Sequence, residues 1–185
     1  MSARRSGFRT SKKPAATPLE AALAMLARRP YSVAEMRRAL VRKFKDDEEG
    51  VQQAVARLRE LGYLDDRKFA AHHAASLAQN RGLGRLRIRR QLKAKLVDYK
   101  AIEPALQEAF SQTNEQEILE QVLEKKIRTL RLPITQSKLH SLCQSLMRRG
   151  FRAGDIMKAV RARPELKPVA DAVDLTETEA TTEES

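Results

Sequence analysis

The sequence has no tryptophan, only three tyrosines and five phenylalanines, and a single cysteine. Large aromatic side chains bury the most area per residue. At 4% aromatic, this 185-residue chain is therefore expected to build thin, helix-rich layers rather than one deep core. Cys143, standing alone, excludes an intramolecular disulfide and nothing else in the chain asks for an oxidising compartment. No apolar run approaches the roughly 18 residues of a membrane span, and the first residues lack the apolar stretch of a signal peptide. A soluble cytoplasmic protein without a membrane partner is expected.

Chemical constellations are scarce as well. There is no Walker-type glycine-lysine loop and no Rossmann fingerprint. His72 and His73 diverge by about 100° on a helix, and His140 lies far along the chain with no cluster of Cys or acids to complete a metal site. Cys143 lies on a predicted helix and is not read as a nucleophile. The reading is a protein that is not an enzyme, with no catalytic residues, no cofactor and no metal.

What is abundant is charge, at 32% of residues, with a net +12 and a pI near 10.2. The charge is segregated. From Pro164 onward there are seven acids against one base, Lys167, a balance of −6 that leaves +18 on the residues before it. Such a body attracts polyanions. Residues 1–17 carry five bases, no acid and few large apolar groups, so they are expected to form a disordered basic arm; residues 164–185 are expected to form a disordered acidic tail.

Between the arms, apolar residues recur at spacings of three and four, punctuated by Gly, Pro and Asp, and no strand pattern competes. The pattern predicts helices over 18–28, 33–44, 48–61, 66–79, 85–96, 100–110, 115–130, 136–149 and 153–162. They group into trios at 18–64, 65–112 and 113–163. The middle helices align Met36, Ile88 and Leu142, then Leu40, Leu92 and Leu146, then Lys43, Lys95 and Arg149. The last helices align Val51, Ile102 and Ile156, then Val55, Leu106 and Val160. Each i, i+4 pair shares a helix face, so each trio is expected to close its own small core, with three cores in a row. The fold class expected is all-α, with three tandem three-helix repeats forming an elongated, curved rod.

Several separated strings carry a resemblance: Arg29-Pro30-Tyr31-Ser32 with Glu35-Met36-Arg37-Arg38; Gly62-Tyr63-Leu64-Asp65-Asp66-Arg67-Lys68-Phe69; Arg81-Gly82-Leu83-Gly84 with Ile88-Arg89-Arg90-Gln91-Leu92; and Arg148-Arg149-Gly150-Phe151 with Asp155-Ile156. In this order, over roughly residues 18–163, they resemble the RecX family. The resemblance implies a curved rod lying in the groove of the RecA filament and modulating RecA's ATP hydrolysis and strand exchange in DNA repair and recombination. It implies no catalytic residue. Two positions depart from the family pattern, Phe44 after Lys43 and Leu96 after Lys95, where a glycine is usual; both helix ends are expected to close differently.

Candidate binding residues follow from the helical faces. With Ile88, Leu92 and Leu96 on the buried stripe, Arg87, Arg89, Arg90 and Lys93 form a basic arc with no acid among them. Arg81 and Arg85 flank Gly82 and Gly84 just before it, and small glycines there would let a phosphate approach the backbone. The first trio repeats the arc with Arg37 and Arg38, diluted by Glu35; in the third, Cys143 and Gln144 take those places and the bases Arg148, Arg149 and Arg152 gather at the helix end. The partners expected are the RecA filament and, without sequence preference, DNA; a monomer is expected. The GYLDD string at 62–66 reads as a structural joint, in which Gly62 ends one helix and Asp65 or Asp66 caps the next. A competing reading is a tandem helix-turn-helix transcription factor. Against it, the third helices, VQQAVARLRE and IEPALQEAF, are nearly neutral.

Overall fold

The computed structural model describes residues 16–130 and 133–170, and every regular element among them is a helix. α1 spans Pro18–Leu26, α2 Val33–Lys43, α3 Glu48–Glu60, α4 Asp66–Arg81, α5 Arg85–Ala94, α6 Tyr99–Gln112, α7 Glu115–Ile127, α8 Gln136–Arg148, α9 Ala153–Arg161 and α10 Lys167–Ala170. The nine helices read from the apolar spacing are present, their ends displaced by a turn or less. Side-chain caps explain most starts: Thr17, Ser32, Asp47, Asp65, Asp98, Asn114 and Thr135 each accept a backbone N–H from the first turn that follows. Thr17, read as part of the basic arm, closes a capping box with Glu20 and belongs to α1. Residues 1–15 of that arm lie outside the described residues.

The aligned apolar positions are buried without exception: Met36, Ile88, Leu142, Leu40, Leu92, Leu146, Val51, Ile102, Ile156, Val55, Leu106 and Val160. Three separate cores do not result. α1, α2 and α3 enclose one apolar cluster, from Ala21 to Leu64, whereas a second runs unbroken from Phe69 on α4 to Ala170 on α10. The cause is the closeness of α4 to α7. A Cβ on Gly82, whose φ is +58°, would stand 2.7 Å from Val122 Cγ2, so only a glycine lets the two helices approach this far.

The acidic tail read from Pro164 onward also needs correction. Residues 164–170 are ordered, because Leu166 and Ala170 are completely buried and Val169 packs beside them, which seats α10 on α8 and α9. Leu166, Val169 and Ala170 keep the i, i+3, i+4 spacing of a buried face, a signal that the average charge of the segment conceals. Residues 171–185 lie outside the described residues.

The joints between trios are built alike. At the first, Asp66, the first residue of α4, accepts the N–H of Val33 at the start of α2 (2.8 Å) and that of Asp98 (3.1 Å), while the Ser32 hydroxyl donates to the Lys95 carbonyl. At the second, Glu115, the first residue of α7, accepts the N–H of Arg85 at the start of α5 (2.7 Å), and the Gly84 N–H donates to the Arg149 carbonyl (2.9 Å). Asp66 thus does more than the capping role read for it, which Asp65 fills with the amides of Arg67 and Lys68.

Leu96 was placed on the buried stripe of α5. The helix ends at Ala94, and Leu96 turns back with φ +57° and 39% exposure. It takes the left-handed conformation that Gly150 takes after α8, so this end closes as a glycine end does even without the glycine. Phe44 does close differently, at φ −122°.

Candidate polyanion-binding surfaces

The candidate residues divide once their neighbours are known. Arg37 and Arg38 on α2, and Arg87, Arg90 and Lys93 on α5, are exposed. Arg89 is not available in the same way. Its guanidinium donates from Nε to Glu103 Oε1 at 2.7 Å and from Nη2 to Oε2 at 2.9 Å, a bidentate clamp between α5 and α6. This hydrogen bond holds the Glu103 carboxyl below its ordinary range and raises the guanidinium above its own. The arc of α5 therefore carries three outward cations, and its acid comes from α6, beyond the reach of a reading confined to one helix.

Arg81 and Arg85 end on different sides. Arg85 lies over the Phe110 ring, 4.9 Å from its centre, and its Nε is 3.5 Å from Glu115. Gly84 serves packing, since a Cβ there would sit 2.5 Å from the Gly150 carbonyl oxygen, whereas Gly82 lines a groove between α4 and α7. Arg149 is half-buried, and its Nη1 donates to the carbonyls of Arg81 (2.8 Å) and Gly82 (3.3 Å), closing the C-terminal end of α4. Arg152 is exposed at the start of α9.

Arg81 and Arg149 meet two lysines that sequence reasoning missed. Between the last turn of α4 and the face of α7 runs a groove of about 480 Å³. Its lining includes Arg81, Arg149, Lys125 and Lys126, the amides of Gln79, Asn80 and Gln121, and an apolar floor of Ala78, Ile118 and Val122. Among the described residues no carboxylate lines it. Burial, together with the charges of Arg149 and Arg148, pushes the Lys126 ammonium below its ordinary range. A cation held among cations gains most from an incoming anion. The signal was the Lys125-Lys126 pair one turn past Val122, but its partners come from α4 and α8, remote in sequence.

Other titratable groups have structural roles. His73 stacks on Phe69, and burial, with Lys95 and Arg81 adding to it, lowers its pKa. Cys143 is buried among the apolar residues of α8, and burial pushes its thiol up, away from the thiolate a nucleophile needs. Burial pushes the Glu35 carboxyl up, but hydrogen bonds from Arg29 and Lys95 outweigh it and hold the group low, pinning α2 to the end of α5.

Comparison with known proteins bears on what these surfaces serve. Residues 19–58 match the family pattern described as RecX, first three-helix domain, and residues 65–106 match RecX, second three-helix domain. The regulatory protein RecX of Chlorobaculum tepidum is 37% identical over 143 residues, covering 77% of this chain and 86% of that protein. The chain belongs to the RecX family. A second relative, the regulatory protein RecX of Stenotrophomonas maltophilia, is 30% identical over 151 residues, covering 80% of this chain and 88% of its own length. The crystal structure of RecX from Lactobacillus salivarius shares the fold, with a TM-score of 0.65 at 18% identity over 84% of this chain and 96% of that one. The RecX patterns match the first two trios; the groove lies at the joint of the second with the third, and Lys125, Lys126, Arg148 and Arg149 all fall beyond the last matched residue. Both relatives are described as regulatory proteins.

Proposed function

We propose that this chain is a regulator of the RecA recombinase, binding the RecA filament on DNA and restraining its ATP hydrolysis and strand exchange. Membership in the RecX family carries the reading. The chemistry supports it: the outward cations of α5 and the carboxylate-free groove are suited to phosphates and acidic protein faces, and they offer no base code. Any ATP hydrolysis in the complex is RecA's own.

The transcription-factor reading fares worse. A recognition helix presents Arg, Asn and Gln to base edges. On α6 the outward positions include Pro104, Gln107 and Glu108, with Glu103 held by Arg89; α3 exposes Gln52, Gln53, Arg57 and Arg59, but its equally exposed Glu48, Glu49 and Glu60 leave that helix without the net positive charge that a phosphate-lined groove favours.

The test is RecA's single-strand-dependent ATPase, measured with substoichiometric amounts of this protein and of the variant Arg87→Glu with Arg90→Glu. The native chain should depress the rate. The variant should need at least about ten times more protein, because like charge at an interface costs more than the 1.4 kcal/mol that a factor of ten represents, and it should melt normally because both positions are exposed. No inhibition by the native chain at any ratio would sink the reading. Arg89 is the wrong position for this test, since Arg89→Glu would set two carboxylates against each other.

A further inference from the structure

The groove between α4 and α7 gathers Arg81, Lys125, Lys126 and Arg149 without a carboxylate among its lining residues. The same chain holds a segment of opposite character. Residues 171–185 contain six acids, Asp171, Asp174, Glu177, Glu179, Glu183 and Glu184, and no base.

Where that segment departs is fixed. α10 is anchored by the complete burial of Leu166 and Ala170 and packs on α8 and α9, so residue 171 leaves from the trio that supplies α7 and Arg149 to the groove. Fifteen residues reach at most about 50 Å when extended, against about 20 Å for the whole length of α7. The groove is thus within reach of a tethered anion, whose effective concentration is on the order of millimolar.

We propose that residues 171–185 occupy this groove as a built-in anion, and that polyanions bind there by displacing them. The inference rests on the reading of the groove as a polyanion site. The α5 arc is the poorer seat, because Glu103 already stands in it and neutralises Arg89, whereas Lys126 is crowded by Arg148 and Arg149 with no acid of its own in the lining. Occupation makes binding competitive: weak or short polyanions are refused, and a long one with many phosphates displaces the segment. The device sets a threshold for engagement without altering the helices.

Two measurements on the full chain test it. Zero-length carbodiimide coupling joins a carboxylate to an amine in contact with it; at low salt it should link residues 171–185 to Lys125 or Lys126, and the links should fade at high salt or with added oligo-dT. Links from the segment only to other lysines would overturn the proposal. The second measurement is affinity for a fluorescent oligo-dT after replacing the six acids by Asn and Gln. Binding should tighten about tenfold, and in a Lys125→Gln, Lys126→Gln background the same replacement should change it little. An equal gain in both backgrounds would mean the segment acts only through net charge, which overturns the docking. If the two lysine changes leave the affinity of the acid-free chain untouched, the groove itself is not a polyanion site, and both readings fall at that separate step.

Discussion

The two joints of the molecule use the same ties and reach different ends. At each, the first acid of the following trio accepts an N–H from the start of a middle helix, Asp66 from Val33 and Glu115 from Arg85. At each, the cap of that helix reaches the carbonyl ending the next middle helix, Ser32 to Lys95 and Gly84 to Arg149. Two aligned positions differ, Ser32 against Gly84 and Leu96 against Gly150. Ser32 spans the gap with its hydroxyl, whereas Gly84 brings backbone onto backbone, and Gly150 answers it with a φ of +93°. The first joint leaves the core of α1 to α3 to itself; at the second the apolar cluster runs through. Glycines at the second joint, Gly84 against Gly150 and Gly82 against Val122, thus accompany the closer approach and the shared core.

The largest effect expected is from breaking the close joint. A Cβ on Gly150 would lie 2.2 Å from the Arg87 nitrogen, and the left-handed backbone penalises any side chain there. Gly150→Ala should cost about 3–4 kcal/mol, strain and overpacking acting together. Denaturant unfolding would check it; a loss below about 1 kcal/mol would mean the joint opens without consequence. The same replacement would also displace Arg149, so oligo-dT affinity should fall with stability.

At the looser joint the ties carry more of the load. Asp66→Ala leaves the amides of Val33 and Asp98 without their acceptor. Hydrogen bonds to a charged group are worth about 1.5–3 kcal/mol each, so a loss of about 2–3 kcal/mol is expected after water repairs part of the damage. Hydrogen exchange should show α1 to α3 opening before α4 to α9. Uniform opening would mean the first trio is not held at this point.

How much of this was legible in the residues themselves differs by scale. The buried stripes were, because i, i+4 spacing is local: all twelve aligned apolar positions are buried. The continuity of the second core was not, since it depends on Gly82 meeting Val122 across forty residues of chain. The candidate cations were legible as types and not as neighbours. Arg89 reads as one of four bases on a face until Glu103 of α6 is seen beside it, and Arg149 reads as surface charge until it closes α4. Lys125 and Lys126 show in the sequence only as a lysine pair one turn past Val122, which is ordinary on a helix, and only the meeting of α4, α7 and α8 makes a groove of it.

The smallest expected effect sharpens the comparison at the residue that departs from its counterpart. Leu96 occupies the place at the first joint that Gly150 occupies at the second, and holds φ +57° with a Cβ that resists it. A left-handed backbone costs a non-glycine residue about 1–2 kcal/mol. Glycine removes that cost but adds about 0.5–1 kcal/mol of chain entropy to the unfolded state. The side chain is 39% exposed and contributes only part of its area to packing, so little is lost with it. Leu96→Gly should therefore stabilise the chain by about 0.5 kcal/mol, read as a higher urea midpoint with an unchanged slope. Ser32 still spaces the joint in this variant, so its two cores should remain separate. A lower midpoint would show that Leu96 contributes more through its packing than its backbone costs, and the sparing of glycine at this joint would then be explained by contact, not by conformation.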